Sequence, residues 1–230
     1  DVVVFGNFFI ALCTYALFQY TYFRLSGDFA YGIEINCFIL LSSLASYNIC
    51  RLSSEKKLKE AAIEKRIRWV SLNKILMKSD TIVFLCLAFY AFWSLAVSSR
   101  ILVSFVGFLT LLYTNGDIRR IPYLKIFIII FCWLSICVGV PILEILYDKG
   151  WGYPRYENTI THIMEMFCFL LAITLPFDIR DYDIDRSDGI KTIPHLIGKN
   201  ITAYIIALLM LTYIYLIFTQ SSLNAYYYGN

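Results

Sequence analysis

The chain has 230 residues, of which 59% are hydrophobic and only 16% charged, with 18 Phe and 18 Tyr; mean hydropathy is +0.65. Soluble domains are nearer half apolar and carry about 25% charge, so a water-soluble globular domain is excluded and an integral membrane protein is expected. The formal net charge of +3 is too small to point to nucleic acid.

Seven apolar runs read as membrane spans in an all-α, polytopic transmembrane helical bundle forming a single domain over residues 1–230. The first covers Val2 to Phe23 and the second Gly32 to Cys50. Residues 51–78 then form a basic loop, whose middle, Ser54 to Lys74, reads as an amphipathic surface helix with Leu58, Ile63, Ile67 and Val70 among charges. The third span, Thr81 to Val97, and the fourth, Ile101 to Thr114, are separated by Ser98, Ser99 and Arg100 and form a tight hairpin. The fifth runs from Lys125 to Leu146, with Pro141 near its far end. The sixth, Ile160 to Phe177, leads into a polar stretch at 178–199, and the seventh covers Ile201 to Phe218.

The seven cysteines (Cys13, Cys37, Cys50, Cys86, Cys132, Cys137 and Cys168) lie in or at the ends of these runs, with no CxxC pair. They read as small buried hydrophobes, not as a disulfide or zinc framework. No cleavable signal with a basic leading region is visible. Sixteen of the 20 Lys and Arg fall in 51–78, 116–125 and 178–199, and four in the alternate connections. The positive-inside rule therefore places those three stretches together on the cytoplasmic side of an inner or plasma membrane.

The stretch after the sixth span holds Asp178, Asp181, Asp183, Asp185 and Asp188, five aspartates in eleven residues. If the helix continues past Phe177, Asp178, Asp181 and Asp185 fall at i, i+3 and i+7 and share one face at the membrane–water boundary. Hard carboxylates in this pattern suit Mg²⁺, which binds through one or two carboxylates plus substrate phosphate oxygens. The plainer alternative is a solvated loop of mixed charge, balanced by Arg180, Arg186 and Lys191.

The run Asp178-Ile-Arg-Asp, followed by Asp185-Arg186 and Gly189-Ile-Lys-Thr-Ile-Pro194, resembles the second aspartate-rich motif of the UbiA superfamily of intramembrane prenyltransferases. Leu112-Tyr113-Thr114 and Arg119-Arg120-Ile-Pro122-Tyr-Leu-Lys125 resemble that family's central cytoplasmic loop. The resemblance implies a fold of about nine helices, so both ends are expected to be incomplete. It implies Mg²⁺ as cofactor on Asp178, Asp181 and Asp185, and a polyprenyl diphosphate and a lipid-soluble acceptor as partners. Arg51, Arg119, Arg120, Lys125 and Lys191 would hold the diphosphate, Asn48 would support it, and Tyr113 would contact the pyrophosphate or the cation. The arginines have a plainer reading as positive-inside anchors.

The family's first motif, Asn-Asp-x-x-Asp-x-x-x-Asp, is degenerate. Asn48 remains, but Ile49, Leu52 and Lys56 stand at the aspartate positions, and neither Ile49 nor Leu52 can bind a hard cation. Two readings follow. One is an Mg-dependent prenyltransferase with one intact cluster; the other is a catalytically silent relative with a lipid-binding or structural role as a subunit of a larger membrane complex. A retinal-type seven-helix protein is disfavoured because the last span lacks a lysine for a Schiff base. His162 and His195, without partners at ligand spacing, read as structural. Glu34, Glu144 and Glu165 lie near the outer ends of spans, where interfacial snorkelling and a functional role are both open.

Overall fold

The computed structural model describes residues 7–30, 32–55, 72–115, 121, 124–150, 156–187 and 189–228. These build an all-helical bundle. Helix α1 is Phe8–Ser26, α2 Ile33–Glu55, α3 Lys74–Phe92 and α4 Val97–Asn115. Helices α5 (Leu124–Leu134) and α6 (Val140–Lys149) are joined by a π-helical turn, Ser135–Gly139, just ahead of Pro141. Then follow α7 (Tyr156–Arg180), the short α8 (Tyr182–Ser187) and α9 (Ile193–Ile197), and α10 (Lys199–Tyr228).

Six stretches are long and apolar enough to cross a membrane: Ile33–Ser53, Lys74–Phe92, Val97–Thr114, Leu124–Lys149, Asn158–Arg180 and Lys199–Thr219. They correspond to six of the seven expected spans. The remaining expectation, Val2 to Phe23, is described as a helix from Phe8, and several polar side chains lie on its inner face. Thr14, Gln19, Thr21 and Ser26 are buried against neighbouring helices. Large apolar side chains elsewhere point outward, including Ile75 (84% exposed), Tyr90 (80%) and Tyr204 (76%). In water such a surface would be a liability; in a bilayer it is the lipid-facing side of an integral membrane protein.

Three hydrophobic clusters lie among the described residues, the smallest around Cys137, Val138 and Met166. Phe18, Tyr22, Phe38, Ile39, Ala88, Ala91, Val140 and Ile145 lock α1, α2, α3 and α6 together. Ile126, Ile130 and Leu175, with Leu171, Ile205 and Leu209, join α5, α7 and α10. Helix α2 packs along α3, and α7 along α10.

The hairpin between α3 and α4 turns at residues 93–96, not at Ser98–Arg100. Ser99 is fully buried in the first turn of α4, and Arg100 lies over the Trp93 ring, 5.5 Å from its centroid. A helix start leaves backbone N–H groups without intrahelical partners. Here a distant carboxylate serves: Ala96 donates its N–H to Glu144 Oε1 at 3.0 Å. Glu144 is therefore buried, not snorkelling. The expected surface helix at Ser54–Lys74 lies largely outside the described residues, and Lys74 opens α3, seven residues before the expected Thr81.

Candidate active site

Helix α7 ends at Arg180, and Asp181 forms the turn into α8. The break is slight, because Asp181 and Asp185 still donate their N–H groups four residues back, to Phe177 O at 2.9 Å and Asp181 O at 2.8 Å. Along a path of helical pitch, residues i and i+7 differ by about 20° around the axis, whereas i+3 stands about 60° away. Asp178 and Asp185 accordingly turn inward, 2% and 0% exposed. Asp181 turns outward, where Arg180 grips it through two hydrogen bonds at 2.7 and 3.0 Å. The expected trio resolves into an inner pair and an outer single residue. Among the described residues no group of three or more His, Cys, Asp or Glu side chains converges as a metal site would.

The inner pair converges on Lys125. Its Nζ lies 3.0 Å from Asp178 Oδ1 and 2.7 Å from Asp185 Oδ2, and Lys125 is itself buried, at the first turn of α5. The sequence suggested a phosphate ligand at this position; the structure seats the ammonium between the two carboxylates. Three buried charges sum to one net negative charge, and Asp178 Oδ2 has no hydrogen-bond partner. Buried charge calls for compensation. The pair is held from behind by the loop that follows. Ile190 donates its N–H to Asp185 O at 2.8 Å, with Gly189 at φ 71° making the turn, a conformation that L side chains resist. His195 takes its N–H partner from Thr192 through Nδ1 at 3.3 Å and donates from Nε2 to Tyr182 O at 3.0 Å. Its ring stacks on Tyr182 at 4.0 Å. His195 thus fastens the motif loop to α8, the structural role expected for it.

A cavity of about 870 Å³ opens between α1, α2, α3, α4 and α5. Its walls are mostly apolar, with Phe38, Phe89, Phe92, Ile128, Ile129 and Ile136, and hydroxyls from Ser42, Ser46, Thr110, Tyr47 and Tyr113. Tyr47 meets Trp133 edge-on at 6.4 Å. Ile128 and Ile129 follow Lys125 by three and four residues, so all three share one stripe of α5. The lysine between the aspartates therefore stands one turn beyond the cavity wall.

The remaining expected residues are distributed as follows. Tyr113 lines the cavity. Asn48 is buried and accepts a hydrogen bond from Asn7 Nδ2 at 2.7 Å; Arg51 is half-buried one turn further along α2. Lys191 is exposed between α8 and α9. Arg119 and Arg120 lie outside the described residues. Sequence reasoning missed Asn7, whose φ of 65° and full burial are invisible without its partner. It also missed Tyr47, one of many aromatics. At the opposite end of α7, His162 and Glu165 are fully buried. Tyr20 donates to Glu165 Oε1 at 2.7 Å, and His162 Nε2 meets the Thr21 hydroxyl at 3.0 Å. His162 was read as structural and Glu165 as open between snorkelling and function; Glu165 is buried, and the partners of both on α1 were not legible.

No protein-family model matches this sequence, and neither does any curated protein. A solved structure described as digeranylgeranylglyceryl phosphate synthase in membranes matches with a TM-score of 0.56 and 13% identity, over 90% of this chain and 76% of that one. With the helical bundle and the membrane-crossing lengths, this likeness establishes the architecture. The chain is an integral membrane protein whose all-α helical fold is that of the matched membrane synthase.

Proposed function

We propose that this protein transfers a polyprenyl group from an allylic diphosphate to an aromatic or hydroxyl acceptor. The observation that carries the proposal is the buried Asp178–Lys125–Asp185 cluster one turn beyond an apolar cavity. An amphiphile with a polyanionic head and an apolar tail matches that juxtaposition. The cavity would take the prenyl chain, as its lining suits an apolar chain bordered by neutral hydroxyls. The motif's position at the cytoplasmic side follows from the charge distribution.

The donor set fits a divalent cation in part. Asp178 and Asp185 supply two inward carboxylates with one negative charge in excess, and Asp178 Oδ2 lacks a partner; Mg²⁺ uses one or two carboxylates together with phosphate oxygens. Asp181, turned outward, would act from outside that pair. When bound, the ion would neutralise charge on the departing diphosphate. Lys125 would contribute a point charge near the same group. The cavity walls would exclude water while the C1–O bond breaks and its electron pair leaves with the diphosphate. Tyr47 and Tyr113 line the wall, where an aromatic face turned to an allylic cation would attract it. The acceptor then adds through its nucleophilic atom and loses a proton.

The test is product formation from geranylgeranyl diphosphate and a panel of aromatic and glyceryl acceptors by the purified chain in lipid. Asp178→Asn and Asp185→Asn should each lower turnover by about a hundredfold or more, the scale seen when one charge-stabilising group is lost. Asp181→Asn should lower it far less. A second reading, a silent subunit that keeps the fold, is favoured by one observation: Ile49 and Leu52 replace the first motif's carboxylates. Absence of turnover with every acceptor, with the lipid diphosphate still bound, would support it.

A further inference from the structure

Lys125 holds one oxygen of each of the two carboxylates that a bridging cation would use. Its Nζ spans Asp178 Oδ1 and Asp185 Oδ2 at 3.0 and 2.7 Å. Those contacts join two different elements, the last turn of α7 and the body of α8. An ion held by both carboxylates at Mg²⁺–oxygen distances of about 2.0–2.1 Å needs the facing oxygens within roughly 4.2 Å of each other. The ammonium contacts both carboxylates at once, and all three residues are nearly sealed from solvent. The two cations therefore compete for one seat.

We infer that Lys125 is the resident counter-cation of the aspartate pair, and that a divalent ion bridges Asp178 and Asp185 only by displacing its ammonium. The stem of Lys125 rises from the α5 stripe that also carries Ile128 and Ile129 into the cavity wall. A displaced ammonium thus has the cavity's end within reach, which is where a diphosphate head would lie. Metal entry and diphosphate binding become linked through one side chain: the ion takes the carboxylates and the lysine turns to the phosphate. By reciprocity of linkage, anything that holds Lys125 away from the aspartates strengthens metal binding, and the reverse. The inference rests on the proposed Mg²⁺ at these carboxylates and adds its mode of control.

The experiment uses the full chain in nanodiscs with metal alone, without prenyl substrate. Mn²⁺ binding is followed by electron paramagnetic resonance in the wild type, Lys125→Gln, Lys125→Arg and Asp178→Asn. Removing a unit positive charge from this site should tighten Mn²⁺ by about tenfold or more in Lys125→Gln, with Lys125→Arg close to wild type and Asp178→Asn weakened. A wild-type measurement stands beside it in case Lys125→Gln does not fold. Acetylation of Lys125 by acetic anhydride, read by mass spectrometry, should rise several-fold on adding Mg²⁺, because the ammonium leaves its buried seat. Equal or weaker Mn²⁺ binding in Lys125→Gln, or acetylation indifferent to Mg²⁺, would overturn the competition while leaving Mg²⁺ itself in place. Mn²⁺ binding that ignores Asp178→Asn would overturn both this inference and the metal part of the proposed function.

Discussion

At Lys125 the chain places an ammonium where water cannot follow, between Asp178 and Asp185. Burying one such group alone costs several kcal/mol, and pairing offsets that only when the remaining polar atoms are satisfied. Asp178 Oδ2 is not, so the cluster is not a closed structural pair. Asn48 shows the opposite situation. Its amide oxygen is satisfied by Asn7, whose own left-handed backbone is held in place by the contact. Replacing Asn48 with Ala should cost about 1–3 kcal/mol by orphaning a buried amide donor, seen as a lowered Tm of the chain in lipid; an unchanged Tm would show that the pair is not integral to the α1–α2 contact. The aspartates were legible as residue types, but the expectation that all three share one face missed the outward turn of Asp181. What the sequence could not give was Lys125's choice of carboxylate over phosphate, since its partners lie 53 and 60 positions away.

Among the elements, boundaries turn on backbone groups as much as on hydrophobicity. Apolar runs located six spans, yet the α3–α4 turn lies at residues 93–96 because a helix start needs hydrogen-bond acceptors and Glu144 provides one. The polar run Ser98–Arg100 looks like a loop by composition, but a first helical turn tolerates polar residues well. Glu144→Ala should leave the Ala96 N–H buried and unpaired, costing about 1–2 kcal/mol. Hydrogen exchange should then quicken at residues 96–99 and stay unchanged in α7; exchange unaffected at 96–99 would remove Glu144 from the role of cap. The aspartate motif gave a similar lesson. A helix continuing past Phe177 was the natural expectation, and the hydrogen-bonding path does continue, but the turn at Asp181 sends that side chain to Arg180 and the other two inward.

Across the whole molecule, two features that the sequence lists separately come together. The aspartate stretch and the apolar spans were both plain in the composition, but the cavity among α1 to α5 is a product of packing and has no signature along the chain. Helix α5 connects the two, with Lys125 at its start and Ile128, Ile129 and Cys132 facing the cavity. Helix α2 contributes Ser46, Tyr47 and Cys50 to the same cavity wall. Gly107 offers a way to test the cavity without touching the charged cluster. It lines the wall, and a Cβ added there meets nothing within 4 Å, so Gly107→Leu should fold normally while filling part of the cavity.

The central claim is that the aspartate cluster and the cavity form one binding site for a prenyl diphosphate. The most direct measurement is photo-crosslinking with a geranylgeranyl diphosphate analogue carrying a diazirine on its tail, mapped by mass spectrometry in wild type, Asp178→Asn and Gly107→Leu. The account predicts labels on cavity residues of α2, α4 and α5, competed by unlabelled diphosphate and strongly reduced in both variants. Labels confined to the outer, lipid-facing surface, or cavity labels that persist undiminished in both variants, would contradict it.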